Sequence, residues 1–153
     1  MSQSYHAGRH FLQIPGPTNV PDRVLRAIEQ PTIDHRGPAF GRLGLALLAS
    51  LREIFLTEGP VIVYPASGTG AWEAALTNTL SPGDTVLMCR TGWFATLWND
   101  MAGRLGLDPV FIETDWRRGA DVPAIADALA ADHAHRIKAV CVVHNETSTG
   151  CTS

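Results

Sequence analysis

Apolar positions along the chain alternate between short strand-like runs and segments with helical spacing. A β-branched run at 61–64 is followed by a small-residue loop and a helical pattern over 69–80. Beyond the turn at 81–84 the alternation continues, with predicted strands at 85–89, 109–113 and 137–143 and predicted helices at 93–105 and 122–133. Strands that alternate with helices pair mostly in parallel. The pattern therefore predicts an α/β fold, with a mostly parallel sheet and flanking helices.

Two helices are predicted before the first strand. Pro21 suits the first turn of a short helix that ends near Glu29. A longer helix is predicted from about Ala39 to Leu56, because apolar residues recur there at helical steps and so share one face. These residues are Phe40, Leu43, Leu47, Leu51, Ile54 and Phe55.

The composition permits one folded domain and selects no macromolecular partner. The chain has 153 residues, of which 45% are hydrophobic and 18% are charged, with a net charge of -3. A weakly acidic chain is not expected to bind nucleic acid, and no apolar run reaches the length of about 18 residues that a membrane span requires. The first ten residues lack the apolar segment of a secretory signal, so we expect a cytoplasmic protein. The three cysteines form no C-x-x-C pair, and no metal site is predicted.

The loop between the run at 61–64 and the next helix has the composition of an anion site. Ser67, Gly68 and Thr69 leave the backbone accessible, and the helix that follows turns its first N–H groups and the positive end of its dipole toward this loop. The two hydroxyl groups can donate further hydrogen bonds. A phosphate suits such a site, although an ordinary strand-to-helix turn shows the same local sequence.

Two common nucleotide-binding patterns are absent from the sequence. If Gly68 and Gly70 began the dinucleotide pattern G-x-G-x-x-G, its third glycine would fall on Glu73. The nucleoside-triphosphate pattern G-x-x-x-x-G-K-[ST] does not occur. The loop therefore points to a smaller phosphorylated ligand.

Three loops follow the carboxyl ends of predicted strands, where parallel sheets bind their ligands. The loop at 65–70 is the candidate anion site. The loop at 90–94 carries Trp93 and Phe94, and the loop at 144–150 carries hydroxyl, amide and carboxylate groups. A flat aromatic ligand with a phosphate would contact all three loops, with its ring against an aromatic side chain and a ring substituent bonded to a hydroxyl at 147 or 148.

Five separated segments form a further pattern that runs from about residue 12 to the last residue. They are Pro15-Gly16-Pro17-Thr18-Asn19-Val20, Asp34-His35-Arg36-Gly37-Pro38, Ala66-Ser67-Gly68-Thr69-Gly70-Ala71-Trp72-Glu73, Thr91-Gly92-Trp93-Phe94 and His144-Asn145-Glu146-Thr147-Ser148-Thr149-Gly150. Together they resemble the class V pyridoxal-phosphate-dependent aminotransferases, and most of all the serine–glyoxylate and alanine–glyoxylate aminotransferase group.

The resemblance implies a cofactor and roles for residues at the matching positions. Pyridoxal 5'-phosphate would be held at its phosphate by Ser67, Gly68 and Thr69. Phe94 would stack on the pyridine ring, and Thr147 would hydrogen-bond the ring hydroxyl. Gly16 and Asn19 would line the substrate end of the site.

The resemblance also implies how much of the enzyme this chain contains. Residues 1–20 would form an N-terminal segment, and 21–153 the N-terminal part of the large domain of the fold type I transferases, left incomplete. In the family, the Schiff-base lysine, the pyridinium-binding aspartate and the substrate-binding arginine follow later. Lys138, the single lysine, begins the strand at 137–143 and lies about 20 Å from His144. We therefore expect a fragment that ends before the Schiff-base lysine, lacks catalytic activity alone and, when isolated, is poorly soluble or partly unfolded.

For the full-length protein the resemblance implies a transamination of serine or alanine with glyoxylate, which gives glycine and a 2-oxo acid, in a homodimer. Other class V reactions, such as aminoethylphosphonate transamination or cysteine desulfuration, would use the same phosphate loop. A non-catalytic module that binds a phosphorylated ligand is a further alternative. Glu146 is interpreted as a residue that bonds neighbouring groups rather than as an acid–base catalyst. His144 and Glu146 also match H-x-E, but no P-C-x-x-C follows, so zinc is not expected.

Overall fold

The computed structural model describes residues 11–153 of the chain. The chain forms two compact units, Met1–Tyr64 and Pro65–Ser153. The first ten residues, which belong to the predicted N-terminal segment 1–20, lie outside the described residues. The three candidate loops all belong to the second unit.

The first unit contains the two predicted helices, α1 (Asp22–Ile28) and α2 (Pro38–Phe55). Pro38 lies in the first turn of α2, where a missing N–H removes no helical hydrogen bond. The helix ends at Leu56, which has a left-handed backbone (φ 50°) and donates its N–H to carbonyl groups of the last turn. No residue of α2 is buried, so its apolar face is uncovered. Within residues 11–153, no helix has both the length and the hydropathy that a membrane span needs.

The predicted strand at 61–64 is wrong, because this segment has no strand structure. Its β-branched residues favour an extended backbone. A strand also needs a neighbour that shares its backbone hydrogen bonds, and none of the described strands pairs with this segment. Ile62 and Val63 are accordingly 77% and 63% exposed. Within the second unit, the loop at 65–70 is therefore positioned by the helix that follows it.

The second unit is built around a three-stranded parallel sheet. Its elements are α3 (Gly68–Thr79), β1 (Thr85–Arg90), α4 (Trp93–Arg104), β2 (Asp108–Glu113), α5 (Val122–Ala131), β3 (Ile137–Cys141), β4 (Asn145–Glu146) and β5 (Cys151–Thr152). The strand β1 lies between β2 and β3 and runs parallel to both. The predicted α/β fold with a mostly parallel sheet is confirmed. The short antiparallel pair β4–β5 is an addition that the hydrophobic pattern does not predict.

β1 is the centre of the core because it is covered on both faces. Its residues 86–89 are each 2% exposed or less, as expected for the central strand of a parallel sheet. One cluster joins this strand to both neighbouring helices through Leu76, Val86, Met88, Ala102 and Leu107. The helices α3 and α4 are thereby fixed on one side of the sheet, and both begin at its carboxyl edge.

Replacement of Leu76 by alanine tests this core. Leu76 is 2% exposed, so Leu76→Ala should lower the free energy of unfolding of the full-length protein by about 2–5 kcal/mol through lost burial and a cavity. The matched control is Leu129→Ala in α5, where the side chain is 44% exposed and the loss should be much smaller. Urea unfolding followed by circular dichroism measures both, and equal losses would contradict the assignment of the core.

Candidate functional site

The N-termini of α3 and α4 and the turn between β4 and β5 lie together at the carboxyl edge of the sheet. α4 begins directly after β1 and contacts β4. The ring of Trp72, in the second turn of α3, meets the ring of Phe94, in the first turn of α4. The structure thus brings the three predicted loops of the second unit into one place.

The first residues of α3 are exposed in the part of the chain that the structure describes. Ser67 occupies the N-cap position, but its side chain makes no capping hydrogen bond. Ser67, Gly68 and Thr69 are all exposed, and a Cβ added at Gly68 would meet no atom within 4 Å. The first N–H groups of a helix have no acceptor in a preceding turn, and Gly68 borders space that a ligand can enter. This arrangement fits a phosphate, which the helix dipole also favours.

The N-terminus of α4, in contrast, is capped by the protein itself. The hydroxyl oxygen of Ser148 accepts a hydrogen bond from the N–H of Trp93 (2.9 Å). The carboxylate of Glu146 accepts hydrogen bonds from the N–H groups of Phe94 (3.2 Å) and Ala95 (3.0 Å). A negative charge at a helix N-terminus is stabilised by the helix dipole. Because Glu146 already supplies that charge, the start of α4 is not available to a ligand anion.

Gly92 makes this cap possible. It is the residue before α4 and has no side chain with which to cap the helix. A Cβ at Gly92 would lie 2.5 Å from Cγ of Glu146 and 2.7 Å from Oγ of Ser148, well inside van der Waals contact. Its φ of 165° is ordinary extended backbone, so the requirement for glycine is one of space. In the sequence, the signal for this contact is a glycine directly before a helix that has no capping side chain nearby.

Glu146 is an ionised, buried group that is 1% exposed. Burial alone would raise its pKa, but hydrogen bonds to the carboxylate outweigh burial and hold the pKa below its ordinary value. The hydroxyl of Ser148 donates at 2.6 Å and the N–H of Ser148 at 3.2 Å, in addition to the two N–H groups of α4. These contacts agree with the interpretation of Glu146 as a residue that bonds its neighbours.

The two hydroxyl groups considered for the ligand ring, at 147 and 148, have different surroundings. The Ser148 hydroxyl donates to Glu146 and accepts from Trp93, so it is committed to the cap. Thr147 is exposed. The turn that carries it is closed by the N–H of Gly150, which donates to the carbonyl of Glu146 (2.8 Å) and has the positive φ of 76° that favours glycine. Both residues are exposed, but only the Ser148 hydroxyl takes part in the cap of α4.

Phe94 belongs to a row of three aromatic rings. Its ring lies edge-on to Trp72, with centroids 6.2 Å apart, and Trp72 is stacked on Trp98 at 5.1 Å. Such contacts hold aromatic rings in defined orientations. Trp72 is absent from the predicted site residues, and its only sequence signal is its position one turn beyond the phosphate loop. It connects the open helix α3 to the residue predicted to stack on the ring.

Gly16 and Asn19, which are predicted to line the substrate end of the site, belong to the first unit. Asn19 accepts a hydrogen bond from the N–H of Leu12 (3.2 Å), and a Cβ at Gly16 would meet no atom within 4 Å. Their role at the substrate end stays a prediction. Lys138 is exposed near the amino end of β3, and its Nζ donates to the carbonyl of His135 (2.9 Å).

A cleft with an acidic lining lies at the end of β2. The cleft encloses about 780 Å³ and includes Glu113, Asp115 and Asp121, with Arg118 as its one basic residue. Glu113 forms an ion pair with Arg90 (3.1 Å), and Asp121 caps α5 by accepting from the N–H of Ala124 (3.0 Å). An excess of carboxylates repels a phosphate, so this cleft is not an alternative anion site.

Comparison with known proteins finds aminotransferases. Residues 55–146 match the model of the DegT/DnrJ/EryC1/StrS aminotransferase family. The serine–glyoxylate aminotransferase of Methylorubrum extorquens is 52% identical over 154 residues, which cover 100% of this chain and 38% of that protein. The L-aspartate–glyoxylate aminotransferase of Paracoccus denitrificans is 47% identical over 92% of this chain and 36% of its own length. The crystal structure of alanine–glyoxylate aminotransferase from Nostoc sp. has a TM-score of 0.80 and 34% identity, over 99% of this chain and 40% of that chain.

The fold is that of the type I pyridoxal-phosphate-dependent aminotransferases. The family match spans more than half of the sequence, and the chain belongs to the DegT/DnrJ/EryC1/StrS aminotransferase family. The resemblance of its five segments to the N-terminal portion of glyoxylate aminotransferases is confirmed. The chain spans 38% of the length of its serine–glyoxylate relative from Methylorubrum extorquens.

Replacement of Gly92 by alanine tests the cap of α4. The added Cβ should push Glu146 and Ser148 away from the helix and lower the free energy of unfolding by about 2 kcal/mol or more. Gly103→Ala in the last turn of α4 is the control, because a Cβ there meets nothing within 4 Å and alanine favours helix by about 0.5–1 kcal/mol. Thermal unfolding of both variants should therefore shift in opposite directions. A tolerated Gly92→Ala would show that the close contact is not required.

The ionised state of Glu146 predicts a pH dependence of stability. Because its pKa is lower in the folded than in the unfolded chain, its contribution is fully present above the pKa of an unfolded glutamate, about 4.3. That contribution is lost as the pH falls through the folded pKa. Urea unfolding between about pH 3 and 7 should show a shallower acid loss in Glu146→Gln than in the wild type. Equal slopes would mean that this carboxylate does not contribute to the pH dependence.

Proposed function

We propose that the full-length protein is a pyridoxal-phosphate-dependent aminotransferase that transfers the amino group of serine or alanine to glyoxylate and produces glycine and a 2-oxo acid. The observation that carries this proposal is the open N-terminus of α3 beside Phe94 and the Thr147 turn, in a chain of an aminotransferase family. The names of the relatives support glyoxylate as the amino acceptor. They favour this reaction over desulfuration or aminoethylphosphonate transamination.

The residues of this chain would hold the cofactor at three points. The N–H groups that begin α3, with the hydroxyls of Ser67 and Thr69, would donate to the phosphate. Phe94 would cover one face of the ring, and the Thr147 hydroxyl would bond the ring hydroxyl. Support comes from the exposed, uncapped start of α3 and from the commitment of Ser148 to the α4 cap. When bound, pyridoxal phosphate supplies an electron sink for the charge that develops at the substrate α-carbon.

The described residues provide binding and orientation rather than proton transfer. Glu146 is ionised, 1% exposed and saturated with donors, so it is not arranged to exchange a proton with a substrate. Lys138 is bonded to a carbonyl near the amino end of β3. We infer that the lysine that bonds the cofactor and moves the proton lies in the remaining sequence, and that residues 1–153 alone are inactive. The uncovered face of α2 is in keeping with a homodimer, in which a partner or the rest of the chain would cover it.

Replacement of Gly68 by valine tests the phosphate site. The new side chain fits the protein, because a Cβ there meets no atom within 4 Å, but it occupies the space proposed for the phosphate. Affinity for pyridoxal phosphate should fall by about tenfold or more, from loss of backbone hydrogen bonds. Titration of the full-length apoprotein with pyridoxal phosphate, followed by visible absorbance, measures the affinity. An assay with serine and glyoxylate as substrates measures the rate of transamination.

The control for this test is Gly103→Ala, which adds a carbon at another open glycine and should leave cofactor affinity unchanged. Unfolding temperatures of both variants establish that any loss of affinity is local. Wild-type affinity in Gly68→Val would place the phosphate elsewhere. A wild-type protein that gains no visible absorbance with pyridoxal phosphate would contradict the proposed function itself.

A further inference from the structure

The carboxylate of Glu146 receives hydrogen bonds from two separate segments of the chain. From the first turn of α4, the N–H of Phe94 donates to Oε1 (3.2 Å) and the N–H of Ala95 to Oε2 (3.0 Å). From the turn after β4, the N–H and the hydroxyl of Ser148 both donate to Oε1, at 3.2 Å and 2.6 Å. A charge removed from water needs such replacement donors. The position of the carboxylate and the positions of both segments are therefore fixed together.

Each of these segments carries one residue proposed to hold the cofactor ring. Phe94 donates its own N–H to Glu146. Thr147 lies between Glu146 and Ser148, which are bonded to each other, so its backbone is fixed on both sides. More than 50 residues separate Phe94 from Thr147 in the sequence, so their relative position depends on contacts between the two segments and not on local sequence. The carboxylate connects them together with two other bonds, from the N–H of Trp93 to the hydroxyl oxygen of Ser148 (2.9 Å) and from the hydroxyl of Thr149 to the carbonyl of Thr91 (3.4 Å).

We propose that Glu146 is a positioning residue that fixes Phe94 relative to Thr147, and thereby shapes the ring slot, the space at the cofactor ring that these two residues would border. The inference rests on the proposed function, because it concerns the same site. Glu146 acts through the two ring residues and not on the ring itself. Gly92 supports this role by leaving room for the carboxylate against the start of α4.

The chemistry of a carboxylate explains why this residue suits the role. Both oxygens of an ionised carboxylate accept hydrogen bonds, whereas a glutamine offers one accepting oxygen and one donating NH₂ group. If the glutamine oxygen replaces Oε1, it keeps the donors of Phe94 and Ser148, and the NH₂ group faces the N–H of Ala95. Glu146→Gln should therefore keep the fold but displace the first turn of α4 relative to the Thr147 turn.

Two probes separate the ring slot from the phosphate site in the full-length apoprotein. The probes are pyridoxal phosphate and inorganic phosphate. In Glu146→Gln, the dissociation constant for pyridoxal phosphate should rise by about tenfold or more, from misplacement of ring contacts. The dissociation constant for inorganic phosphate should stay within roughly twofold, because the start of α3 makes no bond to Glu146. Glu113→Gln is the matched control, since this carboxylate is at the same sheet edge but 70% exposed, and neither constant should change.

A double-mutant cycle distinguishes positioning from a general structural effect. Thr147→Val and Phe94→Ala are each combined with Glu146→Gln, and pyridoxal phosphate affinity is measured for every variant. If Glu146 acts through these residues, the combined loss is smaller than the product of the separate losses. Should Glu146→Gln fail to fold, Ser148→Ala removes the hydroxyl bond to the same carboxylate and should show the same selective loss.

The possible outcomes separate this inference from the function on which it rests. Equal losses for both probes, or losses that multiply in the cycle, would overturn the positioning role and leave the proposed function intact. Unchanged affinity of Glu146→Gln for both probes would do the same. A wild-type protein that binds neither probe would overturn the proposed function, and this inference with it.

Discussion

One buried charge distinguishes the N-terminus of α4 from that of α3 at the carboxyl edge of this sheet. The N-termini of α3, α4 and α5 lie there, and each carries the equivalent of about half a positive charge. The start of α5 is capped by Asp121, which accepts from the N–H of Ala124. At α4 the carboxylate of Glu146 satisfies that charge from within the protein. At α3 the N-cap residue leaves the helix end uncapped, and the first residues are exposed. In the proposed site this difference would place the phosphate at α3 and the ring contacts next to the capped end of α4.

The local hydrophobic pattern was sufficient to predict most helices and strands of the second unit. It failed where an element depends on residues that are distant in the sequence. The central strand β1 could be predicted because burial on both faces produces a continuous apolar run. The segment at 61–64 shows the same type of run, yet it is not a strand, because strand formation depends on a partner that local composition does not reveal. The helices were predicted within one or two residues, since their apolar spacing is a property of each segment alone.

The candidate site shows the same division between local and distant signals. The open start of α3 could be inferred from small residues before a helix, which is a local signal. The cap of α4 could not, because Gly92 carries no capping side chain and its substitute lies more than 50 residues away. For that reason the sequence could not distinguish the hydroxyl at 147 from the one at 148 on spacing alone. The structure separates them, because Ser148 is part of the cap and Thr147 is exposed.

The two edges of a parallel sheet carry different loops, and this constrains where the reactive amine of the proposed enzyme would lie. The loops at 90–94 and 144–150 follow β1 and β3 at the carboxyl edge, and α3 reaches the same edge through the contact of Trp72 with Phe94. Lys138 lies near the opposite end of β3 and is bonded to the carbonyl of His135. A strand of several residues separates the two edges, at about 3.3 Å for each residue. No rotation of the Lys138 side chain spans that distance. An amine that reacts next to Phe94 and Thr147 therefore has to come from a segment that reaches the carboxyl edge, outside β1–β3.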